Sequence, residues 1–259
     1  MRRYLVADIK MMLRLPFSII FSLAFPLLML FILMTSIGNI EIANGYKFID
    51  KMYFISLGLG LLPTTIQTFP SFIAGNIEKD YVKRLKYWNV KYIYILFSDL
   101  IVHIILSLVS LVVNLIFAYM VYDLTIPDFA HFMAFLLQYF YLLITLMCFG
   151  AIMGLVLKKV NISYIVGLVL TFVLYFFTGA FGNFSNLPSG VQKVGNIFSL
   201  KVFMHEMNQV FYGEKYFVDD FIIKNTIWFF VIMFILAIII VFMLYKRNFI
   251  FKERKKCLT

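Results

Sequence analysis

The sequence predicts an all-α polytopic membrane protein with six transmembrane helices, and three observations predict it. First, 63% of the 259 residues are hydrophobic and 14% are charged, where a soluble domain carries about 45–50% apolar and about 25% charged residues. Mean hydropathy is +0.94. A water-soluble fold of this size has nowhere to hide so much apolar surface, so lipid is the solvent for most of the chain. Second, the apolar residues fall into six runs, each long enough for the about 20 residues a bilayer crossing needs. Third, the basic residues cluster at the ends of those runs.

The elements follow in order. Residues 1–15, within "MRRYLVADIKMMLRLP", read as an amphipathic interfacial helix: Leu5, Ile9, Met12 and Leu13 recur at helical spacing opposite Arg3, Lys10 and Arg14. Such a helix lies in the headgroup layer, and Pro16 separates it from the first span. The apolar run after Pro16 is longer than a signal-peptide h-region and no small-residue cleavage site follows, so it reads as a retained span. The six spans are expected at 16–38, 52–76, 92–122, 129–157, 160–182 and 225–245. Residues 183–223 are too apolar for a free loop. Val191, Val194, Ile197 and Phe198, then Val202, Phe203 and Met207, keep helical periodicity. They predict short re-entrant helices in the outer leaflet.

The charges orient the bundle. Arg2, Arg3, Lys10 and Arg14, then Lys79, Lys83, Arg84, Lys86 and Lys91, then Lys158 and Lys159, then Lys246, Arg247, Lys252, Arg254, Lys255 and Lys256 fall on one side. They make seventeen of the 23 basic residues. The other side holds Lys47, Lys51, Lys193, Lys201, Lys215 and Lys224, together with Glu41, Asp50, Asp123, Asp128, Glu206, Glu214, Asp219 and Asp220. This asymmetry places both termini, and residues 77–91, in the cytoplasm. It also accounts for the net charge of +10 without a nucleic-acid partner.

Several chemistries are excluded. No G-x-x-x-x-G-K-[ST] phosphate loop is present. His103, His131 and His205 are far apart in sequence, and Cys148 and Cys257 have no metal or redox spacing. No nucleophile stands near a base, so the chain is expected to be non-catalytic and free of cofactors.

The candidate functional residues are few. Asp99 and His103 share a helical face early in span three; an ionisable residue inside a membrane is a functional candidate by default. The simpler account is a hydrogen bond between Asp99 and His103, because a proton relay would need further acidic residues deeper in the bilayer. In span two, Pro63 and Pro70 bracket Thr64, Thr65, Gln67 and Thr68, and span five contributes Thr171, Tyr175 and Thr178. These side chains would either line a path between protomers or hydrogen-bond helix to helix. Gly58 and Gly60, and the pair Gly150 and Gly154, are candidate close-packing sites. In 77–91, Ile77, Tyr81, Leu85 and Trp88 form one helical stripe, and Asp80 precedes Arg84 by four residues in the favourable order for an ion pair. That stripe suits an interfacial anchor as well as a docking helix.

The layout resembles the type-2 ABC transporter permease family, the half-transporters that pair with separate ATP-binding-cassette subunits. The N-terminal amphipathic segment matches. In "NIEKDYVKRLKYWNVKYIYILFSDL" Glu78 matches the family glutamate and Arg84-Leu85 the second half of its Gly-Thr-Leu-x-x-Leu run, with Val90 where the family proline stands. "FFTGAFGNFSNLPSGVQKVGNIFSLKVFMHEMNQVFYG" resembles the family's span-five end, with Gly179, then Leu187-Pro188, then Phe198-Ser199-Leu200 in the place of Asn-Pro-Leu. The resemblance implies that 77–91 is a cytoplasmic coupling helix, with Glu78, Lys79, Asp80, Tyr81, Arg84 and Leu85 seated against the ATPase. It implies two ATPases per transporter carrying ATP and Mg, and a second permease protomer, identical or homologous. Spans two and five would face the partner across the dimer. Residues 183–223 would form an outer gate, its residues Leu187, Phe198 and Phe203 joined by Phe181 just before the segment. The expected function is export of lipophilic or amphipathic cargo from a prokaryotic plasma membrane. The competing expectation is an ATP-independent transporter or membrane enzyme using Asp99 and His103.

Overall fold

In lipid every backbone polar group must be satisfied within the segment, which leaves the α-helix as the spanning element for such apolar runs. The structure, a computed structural model, describes residues 8–10, 12, 20–38, 40–42, 46–79, 93–181 and 184–256, without the side chains of 21, 37, 41, 42, 46, 93 and 240–256. The helices are α1 (Phe25–Ile37), preceded by a π-helical turn at Ile20–Ala24; α2 (Phe48–Leu62) and α3 (Phe69–Glu78), joined by a π-helical segment at Pro63–Thr68; α4 (Ile93–Tyr122); α5 (Phe129–Leu157); α6 (Val160–Thr178); the short α7 (Ser189–Gly195), α8 (Ser199–Glu206) and α9 (Asn208–Phe211); and α10 (Asp219–Lys256).

Among the described residues, five helical stretches are long and apolar enough to span: Phe48–Glu78, Tyr94–Tyr122, Phe129–Leu157, Val160–Thr178 and Asp219–Ile239. The first expected span appears as a shorter apolar helix, Ser22–Ser36; residues 13–19 lie outside the described part. The protein is therefore a multi-pass helical membrane protein with five such helices. One local departure from helix follows α1. Glu41–Ile42 (β1) and Tyr46–Lys47 (β2) pair antiparallel, Glu41 with Lys47 and Ile42 with Tyr46. The run "EIANGYK" offers turn-forming Asn44 and Gly45 between β-formers.

The ends of the helices follow local chemistry. The Lys47 N–H donates to the Asp50 carboxylate at 2.8 Å, closing the start of α2. Gly179, at φ +70°, ends α6 in the left-handed region, and Ala180 N–H donates back to the Tyr175 carbonyl at 3.0 Å. The link between α5 and α6 is only Lys158 and Lys159, with Lys158 at φ +56°.

The α2–α3 rod is the axis of the fold. Its most apolar stretch is 100% buried within the chain, against 39% for α4 and for α5, 22% for α6 and 11% for α10. Helices α1, α4, α5 and α6 pack around it. Near the N-terminal end of the rod Phe54, Phe135, Phe203 and Phe211 form an aromatic knot, with Phe54–Phe135 and Phe54–Phe211 centroids 5.6 and 5.4 Å apart, edge to face. Helices α8 and α9 supply two of these rings, so the segment between α6 and α10 is part of the core. At the C-terminal end of the rod Met12 packs with Phe72, Val102 and Leu106, and Ile9 lies against them.

Candidate functional site

Pro63 and Pro70 interrupt the central rod, because neither has an N–H to return to the preceding turn. Between them the helix is wound as a π segment: the Phe69 N–H passes over the Thr65 carbonyl and donates to Thr64. Threonine hydroxyls bond to carbonyls of their own helix, Thr65 to Leu61 at 2.8 Å and Thr68 to Thr64 at 2.8 Å. Such back-bonding bends helices. Ser71 donates to Gln67 at 2.6 Å.

Neighbouring helices meet the carbonyls that this interruption frees. The Tyr175 hydroxyl on α6 donates to the Leu59 carbonyl, the group Pro63 cannot serve. A Cβ on Gly167 would lie 2.3 Å from the Ile66 carbonyl, the group Pro70 cannot serve. A Cβ on Gly150 would lie 2.2 Å from the passed-over Thr65 carbonyl, and one on Gly154 2.7 Å from that of Pro70. The same rule holds on the other flank. Pro26 leaves the Ser22 carbonyl to Ser110, whose hydroxyl donates to it at 2.6 Å. Thr64 reaches the Ser22 hydroxyl at 2.8 Å. Gly58 faces Met204, and Gly60 faces Pro26. All four glycines singled out from sequence are contact points on or against the rod.

The predicted path residues are brought together, on the inside of one protomer. Thr64, Thr65, Gln67, Thr68, Thr171, Tyr175 and Thr178 are all buried. The buried stripe of α6 is Ser163, Gly167, Thr171, Tyr175 and Thr178, spaced about one turn apart and running antiparallel to the rod. Within that contact the Gln67 Oε1, Thr171 Oγ1 and Ser163 Oγ atoms are buried without a hydrogen-bond partner. Unpaired buried polar atoms carry a desolvation cost, and this seam between α6 and the π segment holds three of them; Asp99 Oδ1, His103 Nε2 and Ser107 Oγ on α4 are three more.

A second polar cluster sits at the C-terminal end of the rod. Asn76 donates to the Asp99 carboxylate at 2.7 Å, and Ser98 donates to Asp8. The His103 ring bonds through Nδ1 to the backbone carbonyl of Asp99 at 2.7 Å rather than to its carboxylate. The ring packs edge-on between Phe69 and Phe72. Burial of Asp8 pushes its carboxyl above the usual range, and the Ser98 bond partly offsets this. Of the predicted coupling residues, Glu78 and Lys79 end α3 and are exposed. The Glu78 carboxylate accepts from the Val160 N–H at 2.8 Å, at the start of α6. Asp80, Tyr81, Arg84 and Leu85 lie outside the described residues.

The four predicted gate residues do not meet. Phe203 is fully buried in the aromatic knot beside Phe135 and Tyr139. Phe198 stacks on Trp228 of α10 at 5.5 Å. Phe181 is half exposed with its ring against Tyr175, and Leu187 is partly exposed in the turn before α7. Polar locks that sequence reading missed hold this side instead. His205 Nε2 bonds the Thr178 carbonyl at 2.8 Å, and Tyr212 donates to Asp50 at 2.7 Å. Asn225 joins Thr145 at 3.1 Å and Ser199 at 3.0 Å. Of these side chains only Thr145 stands alone within an apolar run; the others have polar or charged neighbours in sequence and gave no signal.

No curated protein and no solved structure matches this chain. The profile of the ABC-2 type transporter family does match, over residues 2–212, a stretch that takes in the central rod, both polar clusters and the outer helices. That match covers most of a multi-pass helical bundle, and the chain belongs to the ABC-2 type transporter family as a membrane-embedded permease.

Proposed function

We propose that this permease is the membrane half of an ATP-driven exporter for lipophilic or amphipathic cargo, such as an antimicrobial peptide, a drug or a lipid-linked molecule. It works in a prokaryotic plasma membrane with both termini cytoplasmic. Two ATP-binding-cassette subunits drive it and carry the ATP and Mg; this chain holds no cofactor and hydrolyses nothing. A second permease protomer, identical or homologous, completes the transporter.

One observation carries this reading: the rod is enclosed by its own chain, interrupted at Pro63–Thr68, and leads at Glu78 into the basic stretch. A push on Lys79, Asp80, Tyr81, Arg84 and Leu85 would reach the root of a buried lever with a soft point halfway along it. Alternating access by packed bundles needs such an element. Parting of α6 from the rod would present Thr64, Thr65, Gln67, Thr68, Thr171, Tyr175 and Thr178 as an uncharged polar lining, suited to amphipathic cargo. Movement of Phe181, Leu187, Phe198 and Phe203 would open the exit. The unpaired Gln67 and Thr171 atoms support that reading, since opening or cargo would satisfy them.

The test is purification in mild detergent, identification of the soluble subunit that follows, and reconstitution in liposomes. An ATP-binding-cassette subunit should co-purify. Transport should require ATP, and substitution of Tyr81 or Arg84 should weaken the association. Transport by the permease alone without nucleotide would overturn the proposal, as would Asp99→Asn abolishing transport while changes at 79–85 stay silent.

A further inference from the structure

The start of α6 lacks a cap of its own. Its N-cap residue is Lys159, with extended backbone (φ −128°, ψ 128°) and no side-chain cap bond. Lysine has no acceptor to offer, where Ser, Thr, Asp or Asn would normally take up a free N–H. The acceptor comes from elsewhere: the Glu78 carboxylate, 82 residues earlier in sequence, takes the Val160 N–H at 2.8 Å. A carboxylate at this end of a helix also faces the positive pole of its dipole. The two elements are in close contact, since a Cβ on Gly75 would lie 3.1 Å from a Val160 methyl carbon. The two-residue link Lys158-Lys159 joins this point directly to α5. One residue type at one position therefore ties the last turn of the rod to the first turn of α6.

Further bonds brace the same level. Asn76, two residues before Glu78, holds Asp99 on α4, and Ser98 beside it holds Asp8 near the N-terminus. The helices on either side of residues 80–92 are thus bonded to each other and to two other parts of the chain, the start of α6 and Asp8.

We propose that Glu78 is a positioning residue that latches α6 to the root of the coupling segment, and not a contact for the ATPase. This rests on the coupling reading given above. The direction of its carboxylate decides the assignment: it is turned onto the start of the chain's own α6, a helix whose buried stripe faces the π segment. When the coupling segment moves, the latch makes α6 follow at its cytoplasmic end. An exposed hydrogen bond of this kind contributes little to folding stability, so its loss should appear in coupling and leave the fold in place.

The experiment compares Glu78→Ala, Glu78→Gln, Val160→Pro and the double variant Glu78→Ala/Val160→Pro in the reconstituted permease–ATPase complex. Val160→Pro removes the N–H from the other side. Proline is favoured at the first helical position, and the extended Lys159 suits a following proline. The readouts are co-purification of the ATPase, ATP turnover, and cargo moved per ATP hydrolysed. Glu78→Ala and Val160→Pro should each lower cargo per ATP about fivefold or more, with the ATPase still bound. The double variant should be no worse than either single one, and Glu78→Gln, which keeps an acceptor, should retain most coupling. Loss of ATPase binding in Glu78→Ala together with full coupling in Val160→Pro would make Glu78 a docking contact and overturn the proposal. So would additive losses in the double variant, or no change in any. If the unaltered complex moves cargo without ATP, it is the coupling reading itself that fails.

Discussion

Gly150 and Gly190 show how differently the same residue type can be used. A side chain at Gly150 collides with the Thr65 carbonyl, a backbone atom that cannot yield without separating α5 from the rod; at Gly190 nothing lies within 4 Å. Gly150→Ala should therefore destabilise the detergent-purified permease by about 1–3 kcal/mol, the usual range for overpacking. Gly190→Ala should be neutral within about 0.5 kcal/mol. Thermal unfolding of the two variants side by side checks this. Tyr175 is a second such point. Phenylalanine keeps the ring contacts with Phe25 and Phe181 but removes the hydroxyl given to Leu59. Tyr175→Phe should cost about 1 kcal/mol; no loss of stability would mean that the carbonyl freed by Pro63 finds another donor.

At the scale of elements, the outer helix α8 is fastened to the end of α6 through His205. Burial, foremost, pushes its imidazole below the ordinary value, with Lys51 and Lys201 adding to the effect and the Thr178 bond and Glu206 opposing it. The sign follows by linkage. A histidine with a lowered folded pKa stays neutral in the fold while the unfolded chain takes up a proton. Its contribution is present in full above about pH 6.5, the ordinary histidine value, and is lost as pH falls. The melting temperature should drop on acidification below that point, and His205→Gln should flatten part of the drop. An unchanged pH profile in the variant would show that another group governs it. Helix ends tell a similar story. The expected span 160–182 begins where α6 begins and overruns its end at Thr178, and the acceptor at that start, which belongs to another helix, was not readable at all.

Taken whole, the described part of the chain is layered around one enclosed rod, with α6 and α10 on its perimeter exposing large apolar faces. The orientation proposed from the charge asymmetry would place the exposed Lys158 and Lys215 on opposite sides of the membrane. With the native cysteines replaced, Lys215→Cys should react with a membrane-impermeant thiol reagent in intact cells and Lys158→Cys only after permeabilisation. The reverse pattern would invert the topology and place the root of the rod outside, where no ATPase could press on it.

Membrane residence and the apolar helical segments were legible from the sequence, because hydropathy and periodicity are properties of consecutive residues. The resemblance that led to the family rested on short runs of the same kind, and the Pro-bracketed threonines and the Gly150–Gly154 pair were visible as unusual. Their use was not. Tyr175 answers a carbonyl 116 residues away and Glu78 an amide 82 residues away. The freed carbonyls, the missing cap and the close-approach glycines are each a local vacancy that the chain announces. Which distant group fills each one is a matter of how the helices lie against the rod, and only the packed bundle decides that.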